Sequence, residues 1–118
     1  MDDTFIIWKH GDRQLDQFLD HINDLRPTIK FTMEKESNGE LPFLDVLVKK
    51  SENQITTNVY RKPTHTGQYL NFMSNHSHTT KQGVVRSLLD RANKICNTTE
   101  GLHKELELVK TDLTTNGY

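Results

Sequence analysis

The sequence predicts an α+β fold, in which a small antiparallel sheet with one packed helix is followed by a two-helix tail. Short segments of the first half are β-branched or alternate apolar with polar residues, which is typical of half-buried strands. The second half instead repeats apolar residues at spacings of three and four, the period of an amphipathic helix. With 118 residues, of which 33% are hydrophobic, the chain has enough apolar content for one modest core.

A strand and then a helix are predicted at the start of the chain. The apolar, β-prone run at residues 5–8 predicts the first strand, with Phe5 and Trp8 in the core. Apolar positions over residues 13–25 predict one amphipathic helix. We expect this helix to end before Pro27, because the residue that precedes a proline is disfavoured in the α region.

Three further strands are predicted between the first helix and residue 60. Alternation over residues 29–34 predicts one strand, and Ser37-Asn38-Gly39 predicts a tight turn after it. Residues 41–48 are then predicted to return as a single hairpin partner. The β-branched residues 55–60 predict the last strand of the group.

The remaining residues predict an irregular loop and two helices. Residues 61–78 contain scattered histidines, a proline and a glycine without a clear period, which indicates a loop. Thr79 and Asn97 are predicted to cap the two helices, and Asn116-Gly117 is predicted to end the second. The apolar stripes comprise Val84, Leu88, Leu89, Ala92, Ile95 and Cys96 in the first helix, and Leu102, Leu106, Val109 and Leu113 in the second.

The charge is unevenly distributed, although the net charge of the chain is only −1. Residues 1–48 carry five basic and ten acidic side chains, and residues 97–118 carry two basic and four acidic ones. Between them, residues 49–96 carry eight basic and only two acidic side chains. A basic middle favours a surface that faces a polyanion such as nucleic acid. The alternative interpretation is an ordinary solvated charged face.

Composition also bounds the environment of the protein. The longest apolar run is too short to span a bilayer, so we expect an intracellular protein, nuclear or cytoplasmic, that does not bind membranes. The one cysteine, Cys96, excludes an intramolecular disulfide and lies on the apolar side of a predicted helix, which indicates a buried thiol.

Two neighbouring carboxylates, Asp2 and Asp3, are candidate ligands for a divalent cation. Phosphoryl transfer from a nucleoside triphosphate needs cations held by fixed carboxylates, and these two residues are suitable in type. The alternative is that the pair is simply solvated charge near a terminus. The sequence therefore predicts Asp2 and Asp3 as catalytic and metal-binding residues that need further ligands.

The segment at residues 60–70 interleaves cations, hydroxyl groups and two tyrosines, a combination that suits a phosphate cradle with ring stacking alongside. The alternative is a surface loop whose tyrosines support the hairpin. Basic side chains of the following helix extend the candidate surface. The predicted nucleic-acid-binding residues are Arg61, Lys62, His65, Lys81, Arg86, Arg91 and Lys94.

Several segments resemble reverse transcriptases of Penelope-like retroelements. Met1-Asp2-Asp3 before an apolar run resembles the end of the Tyr-x-Asp-Asp motif of these polymerases. Residues 60–66, with the sequence Tyr-Arg-Lys-Pro-Thr-His-Thr, are the most specific part, and residues 41–46 and 74–78 also resemble segments that follow the motif. The resemblance runs essentially end to end. It implies that the chain descends from the RNA-directed DNA polymerase of a retrotransposon, with Asp2 and Asp3 matching the catalytic metal ligands.

The resemblance implies a partial palm at residues 1–60, an irregular loop at 61–78 and a helical, thumb-like region at 79–118. The intact family uses Mg²⁺ and binds an RNA or DNA template with its primer. Its further palm aspartate and its fingers have no counterpart here, so we expect a fragment that is inactive alone and binds no Mg²⁺ stably, with Asp2 and Asp3 vestigial. The alternative is a non-enzymatic helix-turn-helix module at residues 79–115 that binds nucleic acid. Missing palm strands would also leave a sheet edge that favours self-association.

Overall fold

A computed structural model describes residues 2–118 and confirms the α+β class, with one three-stranded antiparallel sheet and three helices among these residues. The chain divides into two compact units, one up to Glu36 and the other Ser37–Tyr118. The strands lie in the second unit together with the last two helices. The elements in chain order are α1 Asp12–Asp24, β1 Glu40–Phe43, β2 Val46–Lys50, β3 Ile55–Val59, α2 His78–Ile95 and α3 Thr99–Thr115.

The first unit contains α1, which matches the predicted helix to within one residue at each end. The predicted strand at residues 5–8 is wrong, because the structure gives this segment no regular secondary structure. Phe5 is 39% exposed and Ile7 is 67% exposed, so Phe5 is not a core residue. Trp8 instead packs on Phe18 of α1 at 5.3 Å between ring centroids.

The predicted strand at residues 29–34 is also wrong. The backbone of Phe31 is hydrogen-bonded by the side chain of Asn23, which accepts from the Phe31 amide at 2.6 Å and donates to its carbonyl at 3.1 Å. Lys30 donates to the Asn23 carbonyl at 2.7 Å. The side-chain amide of Asn23 thus makes the backbone hydrogen bonds that a neighbouring strand would make. Alternation of apolar and polar residues alone does not form a strand when no strand pairs with the segment.

In the second unit the sheet has the order β1-β2-β3, with both pairs antiparallel. The predicted single strand at residues 41–48 is wrong, because Leu44 and Asp45 form a turn and divide the segment into a hairpin. Leu44 has φ 55°, a conformation in which Cβ crowds the backbone of every L-residue. The predicted tight turn does form at Asn38 and Gly39, with φ 52° and 73°. It closes the short bridge between Ser37 and Glu40, so the turn comes just before β1.

The two predicted C-terminal helices are confirmed, but their caps lie elsewhere. Ser77 caps α2 by accepting from the Thr80 amide, and Thr98 caps α3 by accepting from the Gly101 amide. Thr79 and Asn97 are therefore not the caps, although Asn116 does end α3 as predicted. The core lies where the two helices meet, and Cys96 is buried as expected. The buried apolar side chains are Leu88, Ala92, Cys96 and Val109.

The outer edge of β3 is occupied by the short connection between α2 and α3. The Asn97 side chain accepts from the Thr57 amide at 2.9 Å and donates to the Ile55 carbonyl at 3.0 Å. The Asn97 amide also donates to the Thr57 carbonyl at 3.3 Å. This edge is therefore hydrogen-bonded within the unit, which limits pairing with other chains here. Of the helices in residues 2–118, none combines the length and hydropathy that crossing a membrane requires.

Candidate nucleic-acid interface

An open cleft of about 290 Å³ lies in the second unit, where the β1-β2 turn, the end of β3 and α2 come together. Its lining joins three parts of the chain, which are residue 44, residues 60–65 and residue 91. Basic and apolar side chains share the lining, and Tyr60 and Thr64 add hydroxyl groups. The lining residues are Leu44, Tyr60, Arg61, Lys62, Thr64, His65 and Arg91.

Arg61 is fixed in the cleft by a nearly buried carboxylate of α3. Its Nη1 donates to Oε2 of Glu105 at 2.5 Å, and the side chains of Arg61 and Glu105 are 19% and 8% exposed. Burial alone would lower the pKa of Arg61, but the hydrogen bond and the negative charge of Glu105 outweigh this effect, so the pKa of Arg61 is raised. One nitrogen edge of the guanidinium serves this pair. An arginine carries five N–H donors, so others are left for a ligand.

Arg91 reaches the cleft from α2. Its Nη2 donates to the Tyr60 carbonyl at 3.3 Å, and its Nε lies 3.5 Å from Oδ2 of Asp45. That distance counts as an ion pair, but Nε is buried and makes no hydrogen bond. Asp45 therefore offsets the charge of Arg91 without accepting a hydrogen bond from Nε.

The loop that supplies the other cations is attached to the end of α3. Asn116 accepts from the Tyr69 amide at 3.0 Å and donates to the Gly67 carbonyl at 2.8 Å, while its own carbonyl accepts from Phe72 at 2.9 Å. A Cβ atom on Gly67 would lie 2.8 Å from Oδ1 of Asp112, so the loop approaches α3 closely at this point. These contacts order the predicted irregular loop without any helix or strand.

Beside His65, α3 supplies a second carboxylate. Nε2 of His65 lies 3.8 Å from Oδ2 of Asp112, and the imidazole ring lies 5.9 Å from the Tyr69 ring. Lys62 is exposed. No ion pair or hydrogen bond of the Lys62 side chain occurs among the described residues, so its charge is available at the rim of the cleft.

The outer face of α2 adds two exposed cations, Arg86 and Lys94. Neither has an ion-pair partner among residues 2–118, although Asp90 lies one helical turn from each. Lys81 lies differently, with its Nζ 5.1 Å from the centroid of the Phe72 ring. This geometry is a cation–π contact, and it attaches the start of α2 to the loop.

The structure therefore brings together four of the seven predicted nucleic-acid-binding residues. Arg61, Lys62, His65 and Arg91 line one cleft, Arg86 and Lys94 lie on the outer face of α2, and Lys81 contacts an aromatic ring. The supports of the cleft, Glu105 and Asn116, could not be predicted from the sequence. Glu105 is an acidic residue of the amphipathic α3 and Asn116 is the polar residue that ends it, and only their positions along the inner face of the helix indicate this role. Leu44 gave no signal, because its backbone conformation is rare for leucine.

The predicted metal ligands Asp2 and Asp3 are both exposed and lie on irregular backbone. Within residues 2–118, no group of three or more histidine, cysteine, aspartate or glutamate side chains is placed to hold a metal ion.

Residues 68–118 match the model of the animal helix-turn-helix domain. The match covers α2, the connection and α3, and it begins in the loop that Asn116 attaches to α3. It supports nucleic-acid binding at the level of a domain class and does not extend to a polymerase family. No curated protein and no solved structure shows significant similarity to the chain.

Proposed function

We propose that the unit Ser37–Tyr118 binds nucleic acid, with the basic cleft and the outer face of α2 contacting the sugar-phosphate backbone. The observation that carries this proposal is the convergence of Arg61, Lys62, His65 and Arg91 on one cleft from two separate segments of the chain. Side chains that neutralise phosphates release condensed counterions, and this release supplies much of the affinity for nucleic acid.

The charges of the two C-terminal helices support α2 as the interacting helix. α2 contains four lysine or arginine residues and one aspartate, whereas α3 contains two lysines and four acidic residues. The acidic α3 opposes phosphate, and two of its carboxylates, on Glu105 and Asp112, point to Arg61 and His65 of the cleft. In this arrangement α3 holds the side chains of the cleft in place, and α2 is the helix that contacts the nucleic acid.

We propose further that the chain is the C-terminal palm and thumb part of a retroelement reverse transcriptase and that it is inactive alone. The end-to-end resemblance supports this origin, and its most specific segment, residues 60–66, supplies five of the seven residues that line the cleft. Inactivity is expected because Asp2 and Asp3 lie on irregular backbone without a third ligand among the described residues. A primer-extension assay of the purified chain with Mg²⁺ tests this expectation, and nucleotide incorporation would refute it.

A second candidate is a helix-turn-helix module that works without a polymerase, which the family match at residues 68–118 favours. In such modules the second helix enters the major groove and contacts base edges with its N-terminal residues. Here that helix would be α3, whose first turn contains Glu100. A carboxylate at this position is repelled by the phosphates that flank the groove.

Two charge-matched double variants separate the candidates. Arg86→Gln with Lys94→Gln removes two exposed cations from α2, and Lys104→Gln with Lys110→Gln removes two from α3, so the net charge changes equally. We expect only the α2 variant to lose affinity for labelled duplex DNA in fluorescence anisotropy. Its slope of log K against log salt should fall by about two, since each lost phosphate contact is worth about 0.9.

The opposite result favours the helix-turn-helix candidate, because a recognition helix at α3 would depend on Lys104 and Lys110. Equal small losses in both variants would indicate a nonspecific charge effect and would contradict the proposed α2 surface. Failure of the unaltered protein to bind duplex or single strands at low salt would refute nucleic-acid binding itself.

A further inference from the structure

The cleft has an apolar wall as well as a cationic one. Leu44 and Tyr60 line it beside Arg61, Lys62 and Arg91, and Leu44 is 46% exposed. A site that only neutralises backbone phosphates needs positive charge and hydrogen-bond donors, and an exposed leucine adds nothing to it. An aromatic ring beside cations, as Tyr60 provides here, is instead the arrangement with which proteins hold the bases of single strands, and Leu44 extends the apolar surface next to that ring.

The conformation of Leu44 strengthens this argument. Its φ of 55° lies in the left-handed region, which is unfavourable for leucine, and the turn would form more easily with glycine or asparagine. The other non-glycine residue of positive φ among residues 2–118 is Asn38, for which this region is ordinary. Strain held at a position that exposes an apolar side chain to a cleft is a pointer to function.

The size of the cleft limits what can enter. Its volume of about 290 Å³ lies at the lower end of the range of small-ligand pockets. This volume is of the order of that of one nucleotide. Bases inside a duplex are stacked and paired, so they cannot enter a cleft on a protein surface without being unpaired. A single strand offers its bases without that cost.

We propose that the cleft holds one nucleotide of a single-stranded nucleic acid, with its phosphate at Arg61, Lys62 and Arg91 and its base against Leu44 and Tyr60. This inference rests on the proposed nucleic-acid binding and specifies the ligand of the same surface. The chain then prefers single strands to duplexes, and the preference depends on the apolar wall. The cations of α2 outside the cleft contribute to the binding of both single strands and duplexes.

The test compares two glycine substitutions at positions of positive φ. Leu44→Gly removes the leucine side chain from the apolar wall while the backbone keeps a conformation that glycine adopts freely, and Asn38→Gly is the matched control outside the cleft. Affinities for a labelled oligothymidylate and for a duplex of the same length are measured with the full chain. We expect Leu44→Gly to weaken single-strand binding about fivefold or more, as loss of a leucine contact that is covered by the ligand does, with duplex binding unchanged. Asn38→Gly should change neither affinity.

Backbone amide shifts of the unaltered chain, followed by NMR during titration with the oligothymidylate, give a second readout that needs no variant. We expect the largest changes at Leu44, Thr64 and His65. Changes confined to Arg86 and Lys94, or a Leu44→Gly variant that keeps its single-strand affinity, would overturn the cleft proposal while leaving nucleic-acid binding intact. Failure to bind either ligand would overturn both proposals.

Discussion

The buried ion pair between Arg61 and Glu105 should be the strongest single polar contribution to the stability of the unit Ser37–Tyr118. The pair joins the loop after β3 to α3 with a 2.5 Å hydrogen bond, and the Glu105 side chain is only 8% exposed. Removing one partner of a buried pair typically costs about 3–5 kcal/mol, because the other charge is left without compensation. Arg61→Met should cost more than Glu105→Met, since an abandoned arginine that is 19% exposed can be partly rehydrated.

The double variant Arg61→Met with Glu105→Met should be far less damaging than the sum of the single variants. Replacing both members of a buried pair with apolar side chains of similar volume is often nearly neutral. We therefore expect a coupling energy of at least about 2 kcal/mol in a double-mutant cycle. Raising the pH within the range below the ordinary pKa of a guanidinium should not destabilise the protein as these substitutions do. Because the pKa of Arg61 is raised, the contribution of the pair is fully present below the ordinary pKa of a guanidinium and is lost only as the pH rises past the raised value.

Urea unfolding followed by far-UV circular dichroism measures these free energies. A small domain loses about 1–3 kcal/mol per molar urea, so a loss of about 3 kcal/mol shifts the midpoint by about 1–3 M. An exposed pair would give a different result. Each single substitution would then change the free energy of unfolding by no more than about 0.5 kcal/mol, and the two changes would simply add in the double variant. That result would refute a buried pair and, with it, the idea that Glu105 holds Arg61 in the cleft.

Other expected outcomes use matched positions in α2 and α3. Gly83→Ala should stabilise the protein by up to about 1 kcal/mol, because a Cβ there meets no atom within 4 Å and alanine is the better helix former. Gly101→Ala should destabilise it in the same thermal unfolding assay, because the added Cβ would collide with Oδ1 of Asn58; two stabilised variants would contradict the close packing of β3 on α3. The hydrogen bond and positive charge of Lys104 lower the pKa of Glu100, so the stability that this pair adds is present above the ordinary glutamate pKa and is lost as the pH falls through the lowered value. Lys104→Gln should weaken the dependence of the melting temperature on pH in that acidic range. An unchanged dependence would show that the pair contributes nothing.

The helices could be predicted from the sequence because their signals are local. α2 and α3 each repeat apolar residues with a helical period over about three turns, and the structure buries Leu88, Ala92 and Val109 from those stripes. Strand β3 was equally clear, since most of its positions are β-branched or otherwise β-prone. The errors occurred where a strand depends on a partner elsewhere. Residues 29–34 alternate correctly, but their backbone is bound by Asn23, and nothing in the alternation reports that contact.

The β1-β2 turn was missed for a different reason. Two-residue hairpin turns are recognised by glycine, asparagine or aspartate at positions of positive φ, and Leu44 stands at that position here. The same residue then lines the cleft, so the local rule fails at a candidate functional position. Such coincidences are expected, because binding sites are where proteins retain strained backbone.

The candidate site was predictable in its charges and not in its supports. Arg61, Lys62 and His65 are conspicuous in a loop that also contains tyrosines, and a charge count along the chain finds them. That Glu105, Asp112 and Asn116 would all point to this loop could not be predicted, because it depends on how α3 packs on β3.

The inner face of α3 decides which helix can present a surface to nucleic acid. Glu105, Val109, Asp112 and Asn116 follow one another at spacings of four, three and four, so they lie along one stripe of the helix. Along this stripe Glu105 binds Arg61, Val109 fills the core, Asp112 approaches His65 and Asn116 holds the loop backbone. A stripe committed to these contacts cannot also enter a groove, and the rest of α3, with two lysines against Glu100 and Glu107, has no net positive charge with which to replace it. We infer that α3 supports the cleft from behind, which leaves α2 and the loop as the surface that meets a ligand.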